Sequence, residues 1–323
     1  MNVYRNCIFF IRSYFPYLLY IFIILYYGNP FECFRNFFVL DYEQLQSNLL
    51  KKSNLNITKD QSLMSSCIYD NILNDTTTTN VQALSSSIFK TYKINNGGEY
   101  VPENCIPQFS TAIVVPYRNR AEQLNIFLIY MHNFLYRQNI HYRIFIIEQF
   151  DNKLFNRAKL LNIGAKVALD FGFPCLILHD VDLLPLTRGN LYACTNLPRH
   201  MSANLDIFRF NPLYPELFGG IVAVPASTFK AVNGMSNLFY GWGGEDDDFY
   251  RRLTHNNIDI CRYPSRLSRY TMMKHAHDTP SKERKTLLES GPSRYHTDGL
   301  ISLKYTTKAF RLHPLFTHVL VEL

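Results

Sequence analysis

The stretch Gly241-Trp242-Gly243-Gly244-Glu245-Asp246-Asp247-Asp248 concentrates residue types that do chemistry. Glycines let backbone approach a ligand closely, while four consecutive carboxylates repel one another unless something positive or protonatable relieves them. Acids favour a helix N-terminus, so Glu245 to Asp248 ahead of Arg251 and Arg252 make a good helix start. A helix start does not, however, require the chain's single tryptophan set between glycines. The stretch therefore reads as a helix start that also presents a carboxylate base beside an aromatic platform. A second acidic set, Asp180-Val181-Asp182, follows the apolar run Cys175-Leu176-Ile177-Leu178-His179. Carboxylates at alternate positions after a buried strand call for a cation, and all-oxygen ligation suits magnesium or manganese. Arg118 and Arg120 flank Asn119 after another apolar run. Two arginines there either meet a diphosphate bidentately or are solvated loop charges.

The elements that must position these groups follow from periodicity. Thr111 to Val115, ending in Pro116, reads as a buried parallel strand, residues 121–137 as a helix, and Tyr142 to Ile147 as a second strand. Phe155 to Phe171 is helix-like, and Cys175 to His179 is a third strand. Strand, helix, strand, helix, strand is the pattern of a doubly wound α/β sheet, in which ligands bind at the carboxyl ends of strands. Arg118, Arg120 and the Asp180-Val181-Asp182 triplet all fall there.

The chain has 323 residues, 47% of them hydrophobic and 15% aromatic, enough for a substantial core rather than disorder. Its net charge of +7 comes from scattered basic residues with no dense run, which argues against nucleic-acid binding. No Gly-x-Gly-x-x-Gly follows the first strand and no Gly-x-x-x-x-Gly-Lys loop occurs, which excludes the usual dinucleotide and P-loop fingerprints. Residues 13–31 carry no charge and are just long enough to span a bilayer, which takes about 20 residues. Arg5 and Arg12 precede the run and Glu32 follows it, so the N-terminus is expected in the cytosol and the remainder in the lumen. A cleaved signal peptide is the competing reading, and either route delivers the rest of the chain to the secretory pathway. The expected organisation is a cytoplasmic tail at 1–12, a signal anchor at 13–31, a stem at 32–65 and a lumenal domain at 66–323. Asn56 and Asn74 head glycosylation sequons in a polar segment. Seven cysteines include five, Cys67, Cys105, Cys175, Cys194 and Cys261, placed where disulfides persist. A metal-bound nucleotide diphosphate in that compartment points to a nucleotide sugar.

Several blocks resemble the β-1,4-galactosyltransferase family, inverting glycosyltransferases of the GT-A fold. They are Val115-Pro116-Tyr117-Arg118-Asn119-Arg120, Phe155-Asn156-Arg157-Ala158-Lys159, Asp180-Val181-Asp182-Leu183-Leu184-Pro185, Phe218-Gly219-Gly220, Gly241 through Asp248, and Asp298-Gly299-Leu300 with Ser302-Leu303-Lys304-Tyr305. The resemblance runs from about Cys67 to the C-terminus. It implies a mostly parallel, doubly wound sheet with flanking helices, and a uridine-diphosphate pocket at Arg118, Arg120, Phe155 and Arg157 with Asp180 and Val181. It also implies Mn2+ held by Asp182, Met272 and His275. Ligand hardness alone would have left Met272 in the core, and His277 is a spare candidate. Glu245, Asp246 and Asp247 would line the sugar site, with Asp246 as base and Glu245 beside it. Trp242 would form a wall between donor and acceptor. Gly243, Arg284 and Leu288 would meet the acceptor in a loop, 272–300, that closes over bound donor. The resemblance pairs Cys67 with Cys105 and Cys175 with Cys194, leaving Cys261 free.

Two departures bear on substrate. Leu217 stands immediately before Phe218-Gly219-Gly220, where galactose-specific members carry tyrosine, so the implied donor is UDP-N-acetylgalactosamine ahead of UDP-galactose. Leu217 is equally an ordinary core leucine. Lys285 falls where an aromatic is expected in the acceptor loop. Terminal N-acetylglucosamine of a glycoprotein or glycolipid is the expected acceptor, and the xylose-terminated proteoglycan linker is the alternative. A sugar-binding relative without turnover would lack the base or a metal ligand, yet Asp246, Asp182 and His275 are all present. The expectation is a manganese-dependent, single-pass type II Golgi enzyme.

Overall fold

Residues 110–117 contain no charged side chain, and all eight are buried in a strand, β1 (Ser110–Tyr117). Burial on both faces is what a continuous apolar run in a parallel sheet requires. The chain continues through α1 (Ala121–Tyr136), β2 (His141–Gln149), α2 (Arg157–Asp170) and β3 (Cys175–His179), so all five expected elements form. The structure is a computed structural model that describes residues 38–55, 64–79, 93–275 and 279–323. The expected tail at 1–12, the membrane segment at 13–31, Asn56 and His277 lie outside those residues. Among the described residues no helix is long and apolar enough to cross a membrane.

The sheet pairs β1 in parallel with both β2 and β3, so β1 lies between them. The crossover from β1 to β2 and the crossover from β2 to β3 therefore run in opposite directions, and right-handed connections put their helices on opposite faces. The packing agrees: Ile113, Val115, Ile144 and Ile146 share a cluster with Phe127, Met131 and Leu135 of α1. Val114 and Ile147 point the other way, against Gly164 of α2.

After β3 come β4 (Leu183–Pro185), β5 (Arg199–His200), β6 (Asn204–Leu205), β7 (Ile221–Pro225), α3 (Glu245–His255), β8 (Cys261–Arg262), β9 (Arg269–Met272), α4 (Arg284–Glu289), β10 (Thr306–Leu312) and β11 (Thr317–Glu322). The main sheet runs β8-β5-β7-β3-β1-β2-β11-β10, with β7 antiparallel to β3 and β5, and β10 antiparallel to β11. A small sheet, β4-β9-β6, pairs Met272 opposite Leu183 and so brings β9 to the residue after Asp182.

Cys67–Cys105 and Cys175–Cys194 are disulfides and Cys261 is buried and free, as the resemblance implied. The stem boundary needs correction. Leu40–Leu323 is one compact unit, and Leu40, Leu45 and Leu49 are buried in its core. These leucines lie on and around a helix, Tyr42–Asn48, whose N-cap Asp41 accepts from Gln44 N at 2.8 Å, so residues 40–49 dock on the core through one apolar face. Polar composition around them hid that apolar face.

Gly164 marks the closest approach of α2 to the sheet. A Cβ there would sit 2.3 Å from Val114 Cγ1 and 2.7 Å from Ile147 Cγ1, both on fully buried side chains. Gly164→Val should therefore destabilise by about 2 kcal/mol or more, because overpacking outweighs the few tenths gained in helix propensity. Denaturant titration checks it; unchanged stability would mean that α2 can move off the sheet freely.

Candidate functional site

Asp180 and Asp182 stand on the turn that leaves β3, and Leu183 N donates to Asp180 O at 3.4 Å across it. Arg157 opens α2 and reaches this turn: its Nε donates to Asp180 Oδ1 at 2.6 Å and its Nη2 to Gly220 O at 3.0 Å. Its Nη1 lies 3.6 Å from Glu245 Oε1 at the start of α3. A cation at a helix N-terminus opposes the helix dipole, so Arg157 is held there by the acids around it. Asp182 Oδ2 lies 3.0 Å from His275 Nε2 and 3.8 Å from Arg120 Nη1.

The glycine-rich stretch turns into α3 through Gly241, Gly243 and Gly244, all at positive φ, with Gly244 as N-cap. Four acids then occupy the first turn, where free backbone N–H groups and the helix dipole favour anions. Asp247 N donates to Asp246 Oδ1 at 3.0 Å. Asp247 Oδ1 accepts from the Tyr214 hydroxyl at 2.9 Å. Gly219 allows this closeness, since a Cβ there would fall 2.3 Å from Asp246 Oδ2. Burial and the Asp246 charge push Glu245 up to about 7, and its Oε2 is buried without a hydrogen-bond partner. Asp246 is raised by burial and by Asp247. Asp182 is pushed up to about 6 by burial and Asp180, against His275 and Arg120. Three carboxylates are thus held in a state that a cation or hydroxyl donors would relieve.

Arg120 and Arg157 meet these acids, and Phe155, with Arg118 over its ring, borders the glycine stretch. The Arg118 guanidinium stacks 5.3 Å above the Phe155 ring and donates to Lys153 O at 2.6 Å. Phe155 O accepts from Gly241 N at 2.9 Å, which ties the loop before α2 to the glycine stretch. Leu217 is half-buried, and its carbonyl accepts from Arg262 Nη2 at 2.8 Å. Trp242 is 60% exposed; its N–H donates to Thr279 O at 2.9 Å and its ring lies 5.7 Å beneath the Arg284 guanidinium. Gly243 lies under the same Arg284 side chain, and Leu288 is one turn further along α4, half-buried, its carbonyl accepting from Arg251. The Val181 side chain packs in the core, which leaves its backbone as the part a ligand could meet. Asn74 is exposed at the end of a short helix.

For a metal, Asp182 and His275 already touch, and the register of β9 on β4 sets Met272 beside them. Among the described residues no three His, Cys, Asp or Glu side chains gather as a cation site, and the Met272 thioether is the third ligand that the resemblance implied. The carboxylate suits Mn2+ and the imidazole suits divalent ions generally, whereas the thioether is softer than Mn2+ ordinarily takes. Two residues were missed from sequence. Asp206 accepts from Met272 N at 3.2 Å and from the Thr271 hydroxyl, and so fixes the strand end before His275. Tyr214 orients Asp247. Neither carries a local signal, since both act across chain separations of more than thirty residues.

Comparison with known proteins follows this geometry. A family model described as the N-terminal region of glycosyl transferase group 7 matches residues 69–195, and one described as the N-terminal domain of galactosyltransferase matches 199–276. Mouse β-1,4-galactosyltransferase 1 is 39% identical over 238 residues, 72% of this chain and 60% of that protein. Rat β-1,4-galactosyltransferase 3 is 39% identical over 248 residues, 75% of this chain and 63% of that protein. The chain thus spans less than two thirds of the length of these relatives. The catalytic domain of Drosophila β-1,4-galactosyltransferase 7 in complex with xylobiose superposes with a TM-score of 0.57 at 31% identity, covering 66% of this chain and 93% of that one. A substituted form of the same Drosophila protein, with manganese, UDP-Gal and xylobiose, superposes with the same TM-score at 30% identity. The mixed α/β architecture is therefore GT-A-like.

The raised carboxyl of Glu245 has a stability consequence. Between the ordinary carboxylate range and about pH 7 the folded state keeps a proton that the unfolded chain has released, so this group's contribution to stability falls as pH rises through that window. Glu245→Gln should match the parent near pH 4.5 and become progressively more stable than it toward pH 7.5. Paired thermal melts across that range measure the difference, and a gap independent of pH would show that Glu245 titrates as an ordinary acid.

Proposed function

The chain belongs to the β-1,4-galactosyltransferase family, and from that premise we propose that it transfers a hexose from a uridine-diphosphate donor to a sugar hydroxyl with inversion. The observation that carries this reading is the half-buried Glu245–Asp246 pair at the start of α3, facing the Asp180–Asp182 turn across Arg157.

Asp246 is the base. Its raised affinity for a proton lets it accept one from the acceptor hydroxyl as that oxygen attacks the anomeric carbon. The bond from the anomeric carbon to the diphosphate breaks as the new bond forms, the diphosphate leaves with the electron pair, and the α-linked donor becomes a β-glycoside. Glu245 Oε2, buried and unpartnered, is placed to accept from a donor-sugar hydroxyl. Arg118 and Arg120 attract the diphosphate, and Phe155 offers a face to the uracil. Trp242 and Arg284 provide the platform and cation against which an acceptor sugar stacks. Asp182, His275 and Met272 would hold Mn2+, which supplies neutralisation of the charge gathering on the leaving diphosphate.

Leu217 supports N-acetylgalactosamine as the donor sugar ahead of galactose, because an aliphatic side chain leaves room at the 2-position that a tyrosine ring fills. Terminal N-acetylglucosamine is the acceptor in this reading, in β-1,4 linkage. A xylose-terminated acceptor is the second reading, favoured by the similarity to the Drosophila protein solved with xylobiose. Golgi residence as a single-pass type II protein, with the catalytic part lumenal, fits the two disulfides.

Transfer by the full chain in manganese, comparing UDP-N-acetylgalactosamine with UDP-galactose on N-acetylglucosamine and on a xyloside, tests the substrate reading. The expected preference is for the N-acetylated donor and the N-acetylglucosamine acceptor, with Leu217→Tyr shifting preference toward galactose. Equal use of both donors by parent and variant would remove Leu217 from the specificity pocket. Asp246→Asn should lower turnover by about 100-fold or more while donor binding changes little. Equal loss of binding and turnover would make Asp246 a donor ligand instead of the base.

A further inference from the structure

His179 is the last residue of β3, fully buried, immediately before the acidic turn. Its Nδ1 lies 2.8 Å from Asp180 O, an atom that only accepts, so Nδ1 carries the hydrogen. That bond matters to the turn because the backbone donor to the same carbonyl, Leu183 N, is long at 3.4 Å. Burial keeps the ring neutral by pushing its pKa down to about 3. Nε2 is then a bare lone pair and must accept the Tyr192 O–H, 3.0 Å away. With its hydrogen used, the Tyr192 oxygen accepts from the Tyr270 O–H at 3.3 Å. The Tyr270 oxygen in turn accepts from Asn190 Nδ2 at 2.9 Å. All four side chains are fully buried, so each bond in this chain is made within the protein and none of its polar groups is open to water.

The chain joins two elements of the site. Tyr270 lies on β9, two residues before Met272, while His179 ends the strand that delivers Asp180 and Asp182. Tyr192 is held independently: Thr111 Oγ1 donates to its carbonyl at 2.9 Å and its N–H donates to Gln138 Oε1 at 2.8 Å.

We propose that His179 is a positioning residue: its Nδ1–H closes the turn that presents Asp180 and Asp182, and a one-way hydrogen-bond chain from Asn190 through Tyr270 and Tyr192 holds the ring in that tautomer. The assignment rests on the reading of Asp182 as part of a diphosphate and metal site, but its structural half can be tested without any ligand.

Ring-nitrogen NMR of isotope-labelled histidines in the full chain, with His179 identified by its loss in His179→Asn, should show a protonated Nδ1 and a bare Nε2. A protonated Nε2 would overturn the proposal. UDP binding in manganese supplies the second readout. Asparagine places an amide N–H where Nδ1 stands and glutamine places one where Nε2 stands. His179→Asn should therefore bind UDP nearly as the parent does, while His179→Gln should bind about tenfold more weakly, the cost of losing one buried hydrogen bond. Equal weakening in both, or in neither, would also overturn it. Tyr192→Phe preserves the packing and decides the matter if His179→Gln fails to fold: the Nε2 resonance should move and part of the Nδ1 protonation be lost, and a ring-nitrogen pattern identical to the parent's would overturn the chain's part in the proposal. A parent chain that binds no UDP would sink the functional reading alone, because the tautomer is read in the absence of nucleotide.

Discussion

The site is organised by the repulsion among half-buried carboxylates and by the half-buried Arg157 guanidinium set between them. Asp180 and Asp182 leave the sheet on one side, Glu245 and Asp246 begin α3 on the other, and Arg157 lies within 3.6 Å of both sets. Burial and mutual repulsion outweigh Arg157 and, at Asp182, His275 and Arg120, so Glu245, Asp246 and Asp182 all have raised proton affinity. A divalent cation or hydroxyl donors would lower that repulsion on binding. The helix dipole at the start of α3 supplies part of the compensation and the opening of α2 withdraws part of it.

Behind the acids, α3 is pinned by a second buried charge cluster that takes no part in the chemistry. Arg252 donates to Asp248 Oδ2 at 2.8 Å and to Asp298 O at 2.6 Å, and Arg294 reaches Asp298 Oδ2 at 2.5 Å. Asn237 N donates to Asp298 Oδ1 at 2.9 Å, which fixes the loop leading to the glycine stretch. Removing one partner from such a set typically costs about 3–5 kcal/mol because the rest is left uncompensated. The rigidity of the α3 N-terminus therefore depends on residues fifty positions downstream.

The small sheet does comparable work for the metal candidates. Pairing of β9 with β4 sets Met272 opposite Leu183, Met273 N donates to Asp182 O at 2.8 Å, and Asp206 accepts from Met272 N. Three short contacts thus give His275 and Asp182 a common origin in backbone register, so their approach to 3.0 Å is not left to two flexible side chains. The Cys175–Cys194 disulfide joins the start of β3 to the segment carrying Tyr192, which further limits movement behind the turn.

By itself the sequence determined the α/β alternation, because apolar runs such as 111–115 and 175–179 are local signals of period and length. It also determined the chemical identity of the site: paired acids after a strand, acids at a glycine-bounded helix start, and arginines after β1 are each legible within a few residues. The family blocks fixed which cysteines pair. Tertiary structure alone decided the rest. The burial of Leu40, Leu45 and Leu49 was masked by polar neighbours, since a three-leucine face shows its purpose only against a core. The roles of Asp206, Tyr214 and the His179–Tyr192–Tyr270 chain depend on hydrogen bonds between residues up to seventy-eight positions apart. Periodicity reports which face of an element is buried, whereas hydrogen-bond partners are chosen by topology, and topology is set only when the strands have taken their order.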